Sequence, residues 1–522
     1  MVSSQIARRN WRRGSHLGAG VLFALILLLP TGCVSMQPAV VRANLAKAGS
    51  NRGELERVLR HYEETGEPLK VKAAQFLIAN MDGHGFSEMA MYDEDHNELP
   101  YDALAYPDVQ AAQATYDELE KQHGKLHTDR KHTDPDLETI TADFLIENID
   151  LAFQAWRERP WAQKIPFEMF CEVVLPYRSG KEPLCSTRRA CMERYADLPS
   201  RMKDPTDVNE AARLIIQDVN SWIRFNELFY FHPTEQSFDE MCRREQGRCG
   251  DISNMQMYAL RANAVPVGRD YSPLWANRDN NHAWVVALDE HGVGRAPMSA
   301  VAAKVYRNTF VKQRDSLAAR IDSDFTPPYW LTRWTFKDVT TQYIETTDVT
   351  ARLTQPAPKG TPYAFICVFN GGEWEPVHWG EIHDSKVTFT KMGRGAAYLP
   401  AYYVDEKVVP AGPPFIVLKT GEIRELNGAG DALVALQLGG TAPERLYSPD
   451  EAAKPLTAIE PGRQYELFVW DNGWVSKGEK TAEGTTLTFD DVPADHLYWL
   501  VVKDSRKLER IFTFDDGQQV WW

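Results

Sequence analysis

The chain has 522 residues and a net charge of -15 at pH 7, with 73 acidic and 58 basic side chains. This length exceeds what one hydrophobic core usually organises, so we expect three or four domains. A chain this acidic does not suit nucleic acid, and we predict no nucleic-acid partner. Seven cysteines are too few for a scaffold built from disulfides, so apolar packing must supply most of the stability.

The first 33 residues have the pattern of an export signal. Four arginines among the first 13 residues precede an uninterrupted apolar run at 17–29, which Thr31, Gly32 and Cys33 follow. The run is too short to span a bilayer. Its ending resembles a bacterial lipobox, which implies cleavage before Cys33 and lipidation of that cysteine. We therefore predict a lipoprotein signal peptide at 1–32 and an extracytoplasmic protein, periplasmic or at the cell surface, anchored by lipid to a bacterial membrane.

The next segment, 33–150, is predicted to be an α-rich N-terminal region. Apolar residues recur at helical spacing over 55–62, 69–81 and 144–156. The acidic stretch 93–97 resembles the opening of a calcium loop, but Glu98 stands where that loop needs glycine and Leu104 where it needs a bidentate glutamate. We interpret this stretch as a solvated acidic loop.

The most informative feature of the chain is a cysteine placed to open a helix. Cys249 lies in the segment 247–251 (GRCGD), and apolar residues then recur at helical spacing until a stop signal at 263–266. A helix N-terminus stabilises the thiolate form of a cysteine, and thiolates are nucleophiles. Cys249 is therefore a candidate nucleophile. Asp251 is interpreted as a first-turn carboxylate that complements the helix dipole.

A histidine 33 residues after Cys249 begins a predicted strand. The run that starts at His282 and ends at residue 288 is apolar on both alternating faces, which is typical of a buried strand. Residues 289–292 then indicate a hairpin turn, with 293–298 returning as the antiparallel partner. Because a nearby imidazole can activate a thiol, we predict that Cys249 and His282 share one pocket.

These segments resemble the core of the transglutaminase-like superfamily. The resemblance is carried by Gly-Arg-Cys-Gly-Asp at 247–251, Leu-Arg-Ala at 260–262, Val-Pro at 265–266 and His-Ala-Trp-Val at 282–285, and it covers roughly residues 207–300. The stretches 273–278 and 304–307 and the tryptophan-rich modules downstream resemble a narrower group, the bacterial transglutaminase-domain lipoproteins.

The resemblance implies an α+β protein with a papain-like transglutaminase core at 151–340. It also implies that Cys249 attacks an amide or acyl carbonyl while His282 transfers the proton, with no cofactor. In the superfamily an acidic residue on the next strand orients the histidine, but here that position falls at Pro297-Met298-Ser299, which carries no carboxylate. Either a distant side chain orients His282, or the two residues work as a dyad, or the site does no chemistry.

Beyond residue 340 the sequence consists of short β-type runs and contains an internal repeat. Trp374, the run 387–389 and Tyr398 recur 100 residues later, without a gap, as Trp474, 487–489 and Tyr498. We therefore predict two β-sandwich-like modules, at 341–425 and 426–522. Exposed aromatic faces would let them contact glycans or proteins, but aromatics at matching positions are also what a duplicated core requires.

The remaining cysteine and histidine signals are weak. Cys185 and Cys191 in a polar loop are the best local candidates for a disulfide in an exported protein, although the connectivity cannot be deduced from the sequence. His378 and His383 lie close together without further ligands nearby, so we predict no metal site and no structural zinc.

Two functions stay open on this basis. The leading hypothesis is a cysteine enzyme that cleaves or transfers amide-linked acyl groups of peptides or proteins, with Cys249 as nucleophile and His282 as general base and then acid. Arg248 and Arg269 could bind a substrate carboxylate, or could be ordinary solvated arginines. The alternative is a catalytically inactive scaffold or binding lipoprotein that uses its β modules for glycan or protein contact.

Overall fold

The chain has an α+β fold, with helices concentrated in its first half and antiparallel sheets in its second. A computed structural model describes residues 37–298, 300–321, 325–426, 432–442, 457–505 and 509–522. The predicted signal peptide, Cys33 and Ser299 lie outside the described residues. Within the described ranges, no helix is long and apolar enough to cross a membrane.

The N-terminal region combines helices with a small antiparallel sheet. Its helices are α1 (Ala39–Lys47), α2 (Arg52–Glu64), α3 (Pro68–Asn80), α4 (Val109–His123), α5 (Asp136–Thr139) and α6 (Ala142–Glu158). Its strands are β1 (Gly85–Tyr92), β2 (Glu98–Leu99) and β3 (His127–Pro135), in the order β2-β1-β3. This sheet was not predicted, because β3 has no apolar alternation and is positioned by its backbone pairing with β1.

The acidic stretch 93–97 is the turn between β1 and β2. The Asp93 carboxylate accepts a hydrogen bond from the Asn97 backbone N–H at 2.8 Å, and Asp93 is only 6% exposed. The interpretation of a solvated loop is therefore wrong for Asp93, because its carboxylate satisfies the turn's own amide.

The central region surrounds one buried helix. Its helices are α7 (Phe167–Met169), α8 (Arg188–Arg194), α9 (Leu198–Arg201), α10 (Val208–Trp222), α11 (Phe238–Arg244) and α12 (Cys249–Ala262). Its strands are β4 (Arg224–Phe225), β5 (Gln246–Gly247), β6 (Val267–Ser272), β7 (His282–Ala287), β8 (Tyr306–Asn308) and β9 (Phe336–Asp338), of which the last four form an antiparallel sheet in the order β7-β6-β8-β9. Residues 253–262 of α12 are all buried, so this helix forms the centre of the core.

Strand β7 does not pair with the segment that follows it, and the predicted hairpin is wrong. Residues 293–298 form no strand, and β7 pairs instead with β6, with Ser272 opposite His282. The carbonyls of Gly292 and Gly294 accept hydrogen bonds from the Arg307 guanidinium, at 2.8 and 3.2 Å. The Arg307 side chain on β8 thus holds the segment 292–294 after the turn. The backbone groups of β7 pair with β6, which precedes β7 in sequence.

The C-terminal half consists of two copies of one antiparallel arrangement. The short helix α13 (Thr340–Tyr343) leads into the first copy, formed by β10 (Thr346–Arg352), β11 (Tyr363–Asn370), β12 (Glu373–His383), β13 (Lys386–Gly393), β14 (Ala396–Val404), β15 (Lys407–Pro410), β16 (Phe415–Val417) and β17 (Ile423–Glu425). The second copy comprises β18 (Leu433–Leu438), β19 (Gly440–Thr441), β20 (Thr457–Ala458), β21 (Gln464–Trp470), β22 (Trp474–Thr481), β23 (Leu487–Pro493), β24 (Tyr498–Val502), β25 (Ile511–Asp515) and β26 (Gln518–Trp521).

The two copies share their strand pairing. In the first, β11 pairs with β12 and β14, and β10 pairs with β13; in the second, β21 pairs with β22 and β24, and β18 pairs with β23. Tyr398 donates a hydrogen bond to the Gly393 carbonyl at 2.7 Å, and Tyr498 donates one to the Pro493 carbonyl at 2.6 Å. The sequence repeat is therefore a repeat of structure.

The repeated tryptophans join the two copies. Trp374 contacts Trp470 edge to face with ring centroids 5.6 Å apart, and Phe369 contacts Trp474 and Trp499 at 5.7 and 5.2 Å. All five belong to or pack against one apolar cluster that spans both modules. These aromatics therefore serve the core between the modules rather than an open binding face.

The described cysteines, six in number, are all free thiols. Cys191 lies in α8, is 5% exposed and packs in the main core cluster. Burial raises the pKa of its thiol to about 12. The predicted Cys185–Cys191 disulfide is therefore absent, because the helix directs Cys191 into the core.

A half-buried histidine joins the N-terminal region to the central one and predicts loss of stability in acid. His84 Nε2 donates to the Phe310 carbonyl at 2.8 Å, and burial lowers the pKa of His84 from 6.5 to about 4. The unfolded chain therefore binds a proton between these pH values that the folded chain does not. We expect the free energy of unfolding to be fully retained above pH 6.5 and to fall by about 3 kcal/mol as pH drops to 4.

Urea unfolding at several pH values measures this effect. A His84→Gln variant keeps a donor for Phe310 but cannot titrate, so its stability should depend less on pH between 6.5 and 4. His383→Gln is the matched control, since the His383 ring lies on an exposed hairpin and its side chain is 78% exposed. An unchanged pH dependence in His84→Gln would contradict this assignment.

Candidate functional site

Cys249 is the first residue of α12, and the residues around it fix the start of that helix. The Asp251 carboxylate, 2% exposed, accepts hydrogen bonds from the backbone N–H groups of Arg248 at 3.0 Å and Gln236 at 3.3 Å. Its position in the first turn also complements the helix dipole. Asp251 thus has the structural role expected from the sequence.

The thiol of Cys249 lies beside an exposed aromatic pair. Tyr230 Oη is 4.0 Å from Cys249 Sγ, and the partial burial of its hydroxyl and the neighbouring thiol raise the pKa of Tyr230, so the hydroxyl stays protonated and can donate to sulfur. Tyr230 and Phe225 are 52% and 51% exposed, with ring centroids 5.9 Å apart. This surface was not predicted, because an exposed aromatic cannot be distinguished from a core aromatic without the fold.

The arginines near Cys249 are held by the protein itself. Arg248 donates to the carbonyls of His232 at 3.1 Å and Pro233 at 3.4 Å. Arg269 donates to Asn254 Oδ1 at 2.8 Å and lies 3.9 Å from a Glu235 carboxylate oxygen. Both guanidinium groups are therefore bound by the protein. The sequence had left open whether these arginines were solvated or bound a substrate carboxylate.

Arg269 also covers the helix start. A Cβ at Gly250 would lie 3.1 Å from Arg269 Nη2, so glycine allows the guanidinium to approach the first turn of α12 closely. Although burial alone would raise the pKa of Glu235, the charges of Arg269 and Arg248 lower it to about 2. Glu235 and Arg269 therefore carry opposite charges 3.9 Å apart near the start of α12.

His282 is the first residue of β7, and its ring rests on two tryptophans. The ring centroids lie 5.5 Å from Trp284 and 6.4 Å from Trp275. Burial and the charge of Arg278 lower the pKa of His282, so the imidazole is neutral at neutral pH and can accept a proton. This protonation state suits a general base.

Helix α12 and strand β7 pack together without a bond between the two predicted catalytic side chains. Ser253 Oγ, one turn after Cys249, lies 3.4 Å from the carbonyl oxygen of Ala283, the neighbour of His282. Within the described part of the chain, the hydrogen-bond partner of Cys249 Sγ is Tyr230, and no hydrogen bond joins the thiol to the imidazole. Hydrogen bonds between catalytic groups are often long before substrate binds.

The acid that would orient His282 is not found among the described residues. The nearest candidate on the paired strand is Asp270, opposite Trp284, but its carboxylate binds the Arg307 guanidinium at 2.7 and 2.8 Å and accepts from Tyr343 at 2.6 Å. Tyr343 in turn accepts from the Trp284 indole at 3.0 Å. The Asp270 carboxylate therefore holds Trp284 in place through Tyr343. The His282 imidazole stacks on Trp284.

The residues at and near the positions expected to supply that acid have structural roles. Met298 packs against the cluster that contains Trp275 and beside Trp284. Asp289, in the turn after β7, accepts hydrogen bonds from the backbone N–H groups of His291 and Val293, both at 2.9 Å. Asp289 thus fixes the turn.

The loop that leads into His282 is held by both β modules. Asn370 Nδ2 donates to the carbonyls of Trp275, Arg278 and Asn280 at 3.0, 3.0 and 3.1 Å. Arg510, from the second module, donates to Asp279 Oδ1 at 3.1 Å and to the Ala276 carbonyl at 2.7 Å. The modules therefore position the segment before the candidate catalytic histidine.

Comparison of the sequence with models of protein families gives no match, and a search against curated proteins gives none either.

Proposed function

We propose that this chain is a transglutaminase-like cysteine enzyme with a papain-like core that acts on amide-linked acyl groups of peptides or proteins. Cys249 is the nucleophile and His282 the general base. The observation that supports this most directly is the position of Cys249, a half-buried thiol on the first turn of a buried helix that packs against the strand beginning at His282. The proposal includes export and a lipid tether at Cys33, as the N-terminal sequence predicts.

The proposed reaction uses few groups. Cys249 Sγ attacks the carbonyl carbon while its proton passes to His282, whose imidazole is neutral and able to accept it. The C–N bond then breaks, the leaving amine takes that proton, and the acyl group stays on sulfur as a thioester. Water or a second amine attacks the thioester and releases the thiol.

The oxyanion formed in this reaction needs hydrogen-bond donors. The first-turn N–H groups of Cys249 and Gly250 have no acceptor within α12 and can serve a developing oxyanion at that helix end. The exposed rings of Tyr230 and Phe225 offer contact to an apolar substrate side chain near the thiol.

A binding protein without turnover is the second candidate, and the surroundings of His282 favour it. The imidazole stacks on Trp284 and Trp275, and no carboxylate of the described residues lies within ion-pair distance of it. A histidine held by tryptophans and lacking an orienting acid is also what an inactive site would contain. In that case the β modules would carry the function, through contact with a glycan or a protein.

Thiol reactivity separates these candidates. We expect iodoacetamide at pH 7 to modify Cys249 at least about tenfold faster than Cys242, because thiols at helix N-termini are as a class more reactive than other thiols. Cys242 is the matched control: it is an exposed residue, and partial burial of its sulfur and the charge of Asp239 raise the pKa of its thiol. Peptide mass spectrometry of the folded protein gives both rates. A Cys249 that reacts no faster than Cys242 would favour the binding protein.

A further inference from the structure

A broad cleft lies away from Cys249, between the central sheet and the first β module. Its volume is about 740 Å³, which falls in the range of small-molecule sites. One wall comes from the segments 315–320 and 330–338 of the central region, and the other from the hairpin formed by β12 and β13. Neither Cys249 nor His282 lines it, so the proposed reaction leaves this cleft without a role.

Aromatic rings line the cleft from both walls. Trp330 lies 5.4 Å from Tyr306, which stacks on Phe336 at 6.0 Å. On the other wall, Trp379 is half-buried and packs beneath the Arg320 guanidinium, 5.6 Å from the ring. The Trp330 indole N–H is already satisfied by the Pro376 carbonyl at 3.0 Å. These rings therefore give the cleft an aromatic lining, in which Arg320 covers one face of Trp379.

A neutral imidazole adds a hydrogen-bond acceptor at the base of the cleft. Tyr306 donates its hydroxyl proton to the Val377 carbonyl at 3.1 Å, so His378 Nδ1, 2.9 Å from Tyr306 Oη, must be the donor in that contact. Burial lowers the pKa of His378 well below its ordinary value, so the ring carries one proton only. Its Nε2, without a partner among the described residues, is then an acceptor suited to a hydroxyl group.

The charges of the cleft balance. Four basic and four acidic side chains line it, and some are already paired, as Arg320 is with Glu381 at 2.8 Å. The β13 residues Thr388 and Thr390 add exposed hydroxyls. Flat aromatic faces, paired charges and many hydroxyl-sized donors and acceptors match a neutral polyhydroxy ligand rather than an ion.

A peptide is the competing ligand for this cleft. Peptides commonly bind by adding a strand to an open sheet edge. Strands β12 and β13 pair with each other at Ile382 with Val387 and at His383 with Lys386, whereas the lining residues 378–381 and 388–391 pair on one side, with β11 and β10. Strand β9, which also lines the cleft, is only three residues long. Peptide binding is therefore an outcome that the test below must separate from sugar binding.

We propose that this cleft binds a neutral oligosaccharide, whose sugar rings stack on Trp379 and Trp330 while a hydroxyl donates to His378 Nε2. This site goes beyond the proposed acyl-transfer chemistry and does not depend on it. An enzyme active at Cys249 would hold a glycan-bearing target through this cleft, and a protein without turnover would use it as its binding site.

An array of neutral oligosaccharides of two to six units, based on glucose, N-acetylglucosamine, mannose and xylose, tests the proposal. The full mature protein should bind at least one of them, and calorimetric titration of the best should show binding about tenfold weaker in Trp379→Ala, with most affinity restored in Trp379→Phe. Trp334→Ala is the matched control and should bind normally, because Trp334 is 43% exposed but does not line the cleft.

Other outcomes overturn the proposal. It fails if no sugar binds the wild type more than the Trp379→Ala protein, with folding of both verified by near-ultraviolet circular dichroism. It also fails if a library of unmodified peptides binds instead with the same dependence on Trp379, since the cleft would then be a peptide site. The Cys249→Ala protein should bind sugar normally, so a failure of the acyl-transfer proposal leaves this result unaffected.

Discussion

Turnover of peptide amides is expected to fall at least about a thousandfold when Cys249 is replaced by alanine, because no acyl-enzyme can form without the thiol. Cys249 is half-buried at the start of α12, so the truncation leaves the buried part of that helix intact. The assay is ammonia release, or incorporation of a labelled amine, from a library of glutamine-containing peptides. A Cys249→Ala protein that retains the wild-type rate would exclude the proposed nucleophile.

His282→Asn tests the second half of the same site. Loss of a general base costs about a hundredfold to ten-thousandfold, and asparagine keeps a polar group of similar size. The matched control is His291→Asn, an exposed histidine in the turn after β7, which should leave the rate unchanged. If His282→Asn and His291→Asn both retain activity, another group removes the thiol proton.

The helix at Cys249 and the strand at His282 were predicted from residues that lie close to them in sequence. The glycines around Cys249 and the apolar spacing after it predict a helix that begins there, and the structure has α12 at Cys249–Ala262. The apolar run after His282 predicts a strand, which the structure gives as His282–Ala287. The offset of 100 residues between Trp374 and Trp474 predicted two modules with equivalent strands. Because the residues between strands are equally many in both copies, the corresponding strands pair in the same way.

The hairpin predicted after β7 was wrong because β7 pairs with β6 instead. The sequence after β7 favours a tight turn, and a two-strand hairpin is the simplest consequence of that turn. In the folded chain β6 supplies the partner, and Arg307 on β8 binds the carbonyls of the returning segment. No local pattern encodes whether β7 pairs with β6 or with the segment 293–298, since both lie close to β7 in sequence and the packing of the whole sheet decides between them.

Ion pairs between segments that are distant in sequence could not be predicted, for a similar reason. Asp270 and Arg307 are 37 positions apart and meet because β6 and β8 are neighbours in the sheet. Arg510 and Asp279 are 231 positions apart. Single aspartates and arginines are common in any acidic chain, so only the fold shows which of them are buried together.

The buried pair of Arg510 and Asp279 predicts a large loss of stability in Arg510→Ala. Arg510 is fully buried and donates to Asp279, to the Phe369 carbonyl at 2.7 Å and to the Ala276 carbonyl at 2.7 Å. Removing it leaves the Asp279 carboxylate buried without its cation, so we expect the free energy of unfolding to fall by about 3–5 kcal/mol. Urea unfolding followed by tryptophan fluorescence measures the loss.

The same substitution should loosen the loop before His282, because Arg510 and Asn370 hold that loop from the β modules. Hydrogen exchange of residues 275–283 should accelerate in Arg510→Ala and stay slow in Arg424→Ala. Arg424 is the matched control, an arginine of the modules whose pair with Asp515 at 2.8 Å is partly exposed and contributes below about 1 kcal/mol. Equal effects of the two substitutions would mean that the buried contact does not position the loop. A selective effect would show that the segment before His282 depends on a module more than 200 residues away in the chain.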